Sequence, residues 1–351
     1  MVIQADHKEL QYSGRIDFSE PKAPVFVFPC TSVHMRFTGA TLKAHIKNFH
    51  AYWDNYIGCI LDGKQTCYRL PESGGAVLDI LTGHEKMEQN VHDVLLFKRQ
   101  DACHEMAFCG FEIAQDGEIL NLEEKPARRI EVYGDSVSAG EVSEAVAYTG
   151  KEDPDHQGEY SNSWYSYAWM TARKLHAQIH DIAQGGIALM DQTGWFCDPY
   201  FIGMESVWDK VHYNPQLGTA TKWNFDCYTP HVVIVAIGQN DSNPQDYMKE
   251  NANGEKAEVW RRHYQAFLQN IRSKYPDAHI VCCTTLLEHD SSWDDAIDQV
   301  CRELKDEKTT HFMFRRNGNA TPGHLRIPEA EEMADELSAY IESLPIAEWE
   351  S

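Results

Sequence analysis

The pattern of hydrophobic and polar residues changes near residue 120. From about residue 23 to 118, turn residues separate short runs rich in Val, Ile, Phe, Tyr and Thr, for example in 32–39 and 56–63. Alternation at this short spacing is typical of an all-β sandwich and not of helices. We therefore predict a jelly-roll-like β domain over residues 1–120.

Residues 121–128 are charged, contain a proline and precede the change of pattern, so we interpret them as a linker. Beyond them, runs typical of strands alternate with amphipathic runs typical of helices. The predicted strands are 129–133, 178–183, 231–237 and 278–284, and the predicted helices are 162–175, 255–274 and 328–343. This alternation predicts an α/β domain over residues 129–351, a doubly wound parallel sheet with its active site at the carboxyl ends of the strands.

The composition restricts the partners of the chain. The formal charge of −23 over 351 residues would repel phosphate backbones and anionic lipid headgroups. No apolar run approaches the roughly 20 residues of a membrane-spanning helix. We expect a neutral substrate, and neither nucleic acid nor a membrane as a partner.

The N-terminus and the cysteines suggest a compartment. The N-terminus lacks the basic start, apolar stretch and small-residue cleavage site of a secretory signal, so we expect a cytoplasmic protein. The ten cysteines are scattered and form no CxxC pair, which favours reduced thiols. His176 and His180 have the one metal-like spacing, but a predicted helix end and the next strand separate them. We expect no metal site.

The first segment with candidate chemistry is 134–140, Gly-Asp-Ser-Val-Ser-Ala-Gly, directly after a predicted strand. That placement puts Ser136 at the carboxyl end of the strand, where the crevice of a parallel sheet lies. A serine hydroxyl is a poor nucleophile, so it needs a nearby base and hydrogen-bond donors for an oxyanion. On its own, the Gly-Asp-Ser motif is weak evidence for a nucleophile, because all three residues are common in turns.

Three later segments supply the missing groups. In 184–189, glycine lets a backbone N–H come close to a substrate oxygen, and in 238–241 Asn240 can aim its amide at a developing negative charge. His324 ends the segment 321–324, just before the last predicted helix, and is the candidate base. Coincidence of all four segments in this order is improbable.

These four segments resemble the SGNH (GDSL) hydrolase superfamily over residues 129–343. With the added β domain, the chain resembles carbohydrate esterase family two, the two-domain acetyl esterases; 94–99, 108–111, 162–167 and 223–225 are similar as well. The resemblance implies a jelly-roll domain before a three-layer, flavodoxin-like SGNH domain.

The resemblance also implies roles for individual residues. Ser136 would be the nucleophile and His324 the general base, with the N–H groups of Ser136 and Gly186 and the amide of Asn240 as oxyanion donors. No metal or organic cofactor is implied. The substrates would be acetylated xylo- or manno-oligosaccharides derived from hemicellulose.

Three further residues are candidates for substrate binding. Trp195 and Trp293 fall in predicted loops near the catalytic segments, where an aromatic face can support a sugar ring, and Asp135 precedes the nucleophile.

The sequence departs from the superfamily at one position. The aspartate expected three residues before the histidine is Thr321, with Asn319 nearby. A histidine base without an orienting partner can adopt the wrong tautomer. We favour a Ser-His dyad oriented by a backbone carbonyl over a carboxylate from the acidic stretch 288–295.

Two other functions stay open. One is an SGNH lipase or thioesterase, and the other is a non-catalytic carbohydrate-binding protein whose site has decayed. The deacetylated hydroxyl, the preferred sugar and the oligomeric state are not determined by the sequence.

Overall fold

The computed structural model describes residues 1–83, 90–347 and 349. Its N-terminal part is a sandwich of two antiparallel sheets. The strands are β1 (Val2–Ile3), β2 (Gln11–Ser13), β3 (Ile16–Asp17), β4 (Val25–Phe26), β5 (Ser32–Thr38), β6 (Thr41–His50), β7 (Tyr56–Leu61), β8 (Lys64–Arg69), β9 (Ser73–Thr82), β10 (Val91–Lys98), β11 (His104–Ile113) and β12 (Ile119–Leu120). One sheet has the order β3-β4-β11-β6-β9 with β1 beside β11, and the other has β12-β5-β10-β7-β8 with β2 beside β5.

Period-two alternation builds this sandwich. Along β6, Leu42, Ala44 and Ile46 are buried while the residues between them are partly exposed. Inward-facing residues of the second sheet, such as Phe37 and Leu96, belong to the same hydrophobic core. The predicted all-β domain is confirmed.

The second part of the chain contains a five-stranded parallel sheet. Its strands are β13 (Arg129–Gly134), β14 (Gln178–Ala183), β17 (Val232–Ala236), β18 (His279–Cys283) and β19 (Thr309–His311); β15 (Lys210–His212) and β16 (Thr221–Lys222) pair separately. The order β14-β13-β17-β18-β19 is the flavodoxin-like arrangement, whose strand order reverses between β13 and β17. Ligands of such sheets bind in the crevice at that reversal.

Helices cover both faces of this sheet. They are α1 (Ser136–Ala139), α2 (Tyr167–Lys174), α3 (Met204–Val207), α4 (Tyr247–Glu250), α5 (Glu255–Lys274), α6 (Ser292–Leu304) and α7 (Ile327–Glu342). The buried residues of α2 and α7 share one core with the sheet, and those of α5 and α6 share the other. The predicted three-layer α/β fold is therefore confirmed.

The structure corrects two helix predictions. The helix predicted from residue 162 begins at Tyr167, because Ser166 caps it by accepting a hydrogen bond from the Trp169 N–H at 3.2 Å. Helix α6 was not predicted, and it begins at Ser292, within the acidic stretch 288–295. No described helix combines the length and the apolar character that crossing a membrane requires.

A buried arginine joins the two parts of the chain. The Arg15 guanidinium, which is fully buried, donates to the carbonyls of Trp208 and Lys210 at 2.7 and 2.8 Å. It also lies 3.4 Å from the carboxylate of Glu131 on β13. The β domain thus docks on the α/β domain through a paired, fully desolvated charge.

Candidate active site

Ser136 lies where the parallel sheet changes strand order. It is the first residue of α1, directly after β13, and Asp135 caps this short helix by accepting from the Val137 N–H at 3.0 Å. The turn back from β13 is tight, since a Cβ at Gly134 would lie 2.0 Å from the Ser138 hydroxyl oxygen. Ser136 therefore faces a cavity of about 580 Å³ at the carboxyl ends of the strands.

His324 meets Ser136 in this cavity. Its Nε2 lies 2.8 Å from the Ser136 Oγ, a hydrogen-bond distance between residues far apart in the chain. The sequence-predicted nucleophile and base are thus brought together in the geometry that proton transfer requires.

Asp153 holds the other side of the histidine ring. Its Oδ2 lies 2.5 Å from the His324 Nδ1, and its Oδ1 accepts from the His324 backbone N–H at 2.9 Å. The buried guanidinium of Arg326 lies 2.9 Å from the same Oδ1 and donates to the His324 carbonyl. The ring is fixed with Nδ1 directed at a carboxylate and Nε2 directed at the serine.

The prediction that a backbone carbonyl orients His324 is wrong, and so is the alternative from stretch 288–295. Asp153 belongs to the long loop before α2 and lies 171 residues earlier than His324. Gly323 allows the approach, because a Cβ there would lie 2.6 Å from the Lys151 carbonyl oxygen and 2.7 Å from the Asp153 Oδ1. In the stretch itself, Asp294 is buried and pairs with His289 at 3.1 Å.

The charges around His324 set its pKa. Burial lowers this pKa, but the charge of Glu141 and the hydrogen bond that His324 donates to Asp153 outweigh burial and raise it to about 9. Burial raises the pKa of Asp153, yet the bond to His324 and the Arg326 charge bring it down to about 2. The resting site therefore favours a protonated ring beside an ionised Asp153 at neutral pH.

Glu141 contributes a second carboxyl group to this cavity. Burial raises its pKa to about 7, opposed by the His324 charge and assisted by Asp101 and Asp153. No side chain in the described part of the chain hydrogen-bonds its carboxyl group. Its charge therefore acts on His324 through space.

The two predicted oxyanion donors line the same cavity. Gly186 has φ of +71°, and its carbonyl accepts from the Trp195 N–H at 2.8 Å. Among the described residues, none accepts a hydrogen bond from the Gly186 N–H. Asn240 donates from Nδ2 to the Ile187 carbonyl at 3.0 Å and to the Asp135 Oδ2 at 3.3 Å, so a substrate oxygen could replace the longer bond.

Of the predicted substrate contacts, only Trp195 lines the cavity, with 63% of its surface exposed. The prediction that Trp293 binds substrate is wrong. Its side chain is fully buried against Trp260, with ring centroids 5.3 Å apart, because α6 directs it into the core. The prediction that Asp135 binds substrate is also wrong, since its side chain is fully buried and accepts a hydrogen bond from Gln239 Nε2 at 2.8 Å. It links the nucleophile turn to the turn that carries Asn240.

Three lining residues that sequence reasoning missed come from the β domain. They are Tyr52, Trp53 and Asp101. Nothing in their local sequence marks them, because only docking of the two domains brings them to the crevice. In the portion that the structure describes, no three His, Cys, Asp or Glu side chains form a group that could hold a metal ion.

Comparison with known proteins gives the same picture of both domains. Residues 12–122 match the family model described as carbohydrate esterase 2 N-terminal. The cellulase/esterase CelE of Acetivibrio thermocellus is 27% identical over 350 residues, which are 96% of this chain. This chain spans 40% of the length of CelE.

Two further relatives match most of the chain. The acetylxylan esterase / glucomannan deacetylase of Cellvibrio japonicus is 23% identical over 281 residues, covering 80% of this chain and 72% of that protein. A family two carbohydrate esterase from Clostridium thermocellum, solved in complex with cellohexaose, has a TM-score of 0.78 at 25% identity and covers 95% of this chain and 98% of that one. The N-terminal domain of this chain thus matches the carbohydrate esterase 2 family model, and the two domains together are similar to family two carbohydrate esterases.

Proposed function

We propose that this chain is a serine esterase that removes acetyl groups from hemicellulose-derived oligosaccharides. The observation that carries the proposal is the line of hydrogen bonds from Ser136 Oγ through His324 to Asp153, at 2.8 and 2.5 Å. This is the arrangement of a nucleophile, a base and an orienting carboxylate.

In the proposed reaction, Ser136 Oγ attacks the acetyl carbonyl carbon while His324 Nε2 takes its proton. Asp153 accepts from Nδ1–H, which fixes the productive tautomer and stabilises the imidazolium that forms. The N–H groups of Ser136 and Gly186 and the Asn240 amide donate to the oxyanion. His324 then gives its proton to the departing sugar oxygen, which leaves as the bond between it and the carbonyl carbon breaks and Ser136 stays acetylated. A water that His324 deprotonates attacks this acetyl ester, the bond to Ser136 Oγ breaks, His324 returns the proton to Oγ, and acetate leaves.

The cavity supports an uncharged sugar ester as the substrate. Among the residues that the structure describes, no lysine or arginine lines it, whereas Asp101, Glu141 and Asp198 do, so an anionic acyl carrier would be repelled. Trp53 and the exposed Trp195 offer apolar faces to a sugar ring. Two relatives of the chain, an acetylxylan esterase / glucomannan deacetylase and a cellulase/esterase, agree with a carbohydrate ester as the substrate.

Replacement of Ser136 by alanine tests the mechanism. We expect Ser136→Ala to abolish acetate release, with a loss of roughly 10⁶-fold as for other serine hydrolases, because Ser136 is the hydroxyl that hydrogen-bonds His324 among the described residues. The control Ser138→Ala removes a buried hydroxyl two residues away, which bonds Tyr167, and should retain activity. Acetate release that persists in a folded Ser136→Ala protein would contradict the proposal.

The length of the acyl group and the sugar that carries it are tested in separate experiments. Rates with acetate to octanoate esters of 4-nitrophenol should fall with chain length, and a rise would favour a lipase or thioesterase. NMR of acetate loss from mixed acetylated xylo- and manno-oligosaccharides should identify the sugar and the hydroxyl.

Cell fractionation tests the predicted cytoplasmic location, and recovery of the protein from the medium would contradict it.

A further inference from the structure

A carboxylate of the β domain reaches the glycine turn beside the nucleophile. Asp101 lies between β10 and β11 and is 5% exposed. Its Oδ2 accepts from the Gly185 N–H at 2.7 Å and from the Gln184 Nε2 at 2.6 Å. Asp101 therefore joins one domain to the residue directly before the oxyanion donor of the other.

The contact of Gln184 controls the peptide unit that carries the Gly186 N–H. Gln184 Nε2 also donates to the Gly185 carbonyl at 3.1 Å, and this carbonyl belongs to the same planar peptide as the Gly186 nitrogen. Two successive glycines have few conformational restraints of their own, so the direction of this N–H depends on external hydrogen bonds. Asp101 accepts directly from the N–H of the preceding peptide, at Gly185, and holds the Gln184 side chain that donates to the peptide carrying the Gly186 N–H.

The carboxylate itself is held in a fixed loop. The Asp101 Oδ1 accepts from the Cys103 N–H at 2.9 Å, and the buried Lys98 ammonium donates to the backbone carbonyls of Gln100 and Asp101. A Cβ at Gly185 would lie 2.8 Å from the Asp101 Oδ2, so the contact also requires glycine at that position. The side chain and its target fit each other closely.

We propose that Asp101 is a positioning residue of the esterase, which aims the Gly186 N–H at the oxyanion through its contacts with Gly185 and Gln184. The β domain then completes the active site of the α/β domain. This inference rests on the proposed function, because an oxyanion exists only if Ser136 attacks an ester. A misdirected donor weakens binding of the transition state more than binding of the substrate.

The test compares Asp101→Ala and Asp101→Asn with a matched control. Asn214→Ala removes another buried bond between the domains, from Asn214 Nδ2 to the carbonyl of the neighbouring Ala102 at 2.7 Å, without touching the glycine turn. Steady-state kinetics with 4-nitrophenyl acetate and thermal melting would be measured for all three variants. Asp101→Asn keeps the size of the side chain and one acceptor oxygen.

We expect Asp101→Ala to lower kcat by about 10- to 100-fold with KM changed less than about threefold, and Asp101→Asn to lie between it and the wild type. Asn214→Ala should melt at a lower temperature with kcat within about threefold of the wild type. If Asp101→Ala fails to fold, the kcat of Asp101→Asn decides whether Asp101 positions the oxyanion donor.

Two outcomes would overturn the inference. One is an unchanged kcat in both Asp101 variants, and the other is an equal loss of kcat in Asn214→Ala, which would mean that domain docking alone matters. Either result with an active, Ser136-dependent wild type contradicts only the role of Asp101. A wild type without Ser136-dependent hydrolysis contradicts the proposed function as well.

Discussion

The two sides of the catalytic cavity each depend on a carboxylate outside the catalytic motifs, but the two carboxylates contact different kinds of group. On the base side, Asp153 bonds the His324 ring, which gains and loses a proton during the proposed reaction. On the oxyanion side, Asp101 bonds neutral amides. Changes on the base side should therefore alter the pH dependence, whereas replacement of an uncharged donor on the oxyanion side, such as Asn240, should lower the rate alike at every pH.

The largest effect among changes beyond Ser136 is expected from Asp153→Asn. Because the amide no longer fixes the productive tautomer, kcat should fall by roughly 10³- to 10⁴-fold, as in serine proteases. The midpoint of kcat/KM against pH should also fall below about 9, since Asp153 raises the pKa of His324. Asp155→Asn, a nearby exposed carboxylate on the same loop, is the control. Full activity of Asp153→Asn would show that another group orients the ring.

The oxyanion side is tested by Asn240→Ala. Loss of one donor should reduce kcat by about 10²- to 10³-fold. The pH midpoint should stay in place, because Asn240 carries no charge to act on His324. Ser242→Ala removes a hydroxyl of the same turn, which bonds the Gln239 carbonyl, and serves as the control. A clear displacement of the midpoint in Asn240→Ala would break the distinction between the two sides.

The smallest change in rate is expected from Glu141→Gln. This variant tests the base side through the pH dependence of kcat/KM. A neutral imidazole is the base, so kcat/KM should rise with pH as His324 loses its proton, with a midpoint of about 9. Since the Glu141 charge raises this pKa, the variant should have a midpoint closer to the ordinary value of 6.5 and a higher rate at neutral pH.

Asp198→Asn is the matched control for Glu141→Gln, because it removes an exposed carboxylate from the same cavity. Its pH midpoint should equal that of the wild type, since the Asp198 charge is exposed to solvent screening. Equal displacement in both variants would indicate a general charge effect of the cavity and not a specific action of Glu141.

The sequence by itself determined the two-domain architecture and the residues that follow the parallel strands. Period-two alternation predicts the sandwich, and strand-helix alternation predicts the parallel sheet, because each depends on local burial patterns. Ser136, Gly186 and Asn240 each follow a strand, so the sheet must bring them to one edge. Their meeting in one cavity was therefore predictable.

Only the tertiary structure decided what surrounds these residues. Asp153 lies on a loop without a strand or helix to fix its place, and Asp101 reaches the site only because the β domain docks on the α/β domain. Trp293 was misplaced because its helix turns it into the core, a position that depends on the packing of α6 against α5. The positions of long loops and the contacts between domains depend on residues that are distant in the sequence, so a local sequence pattern does not predict them.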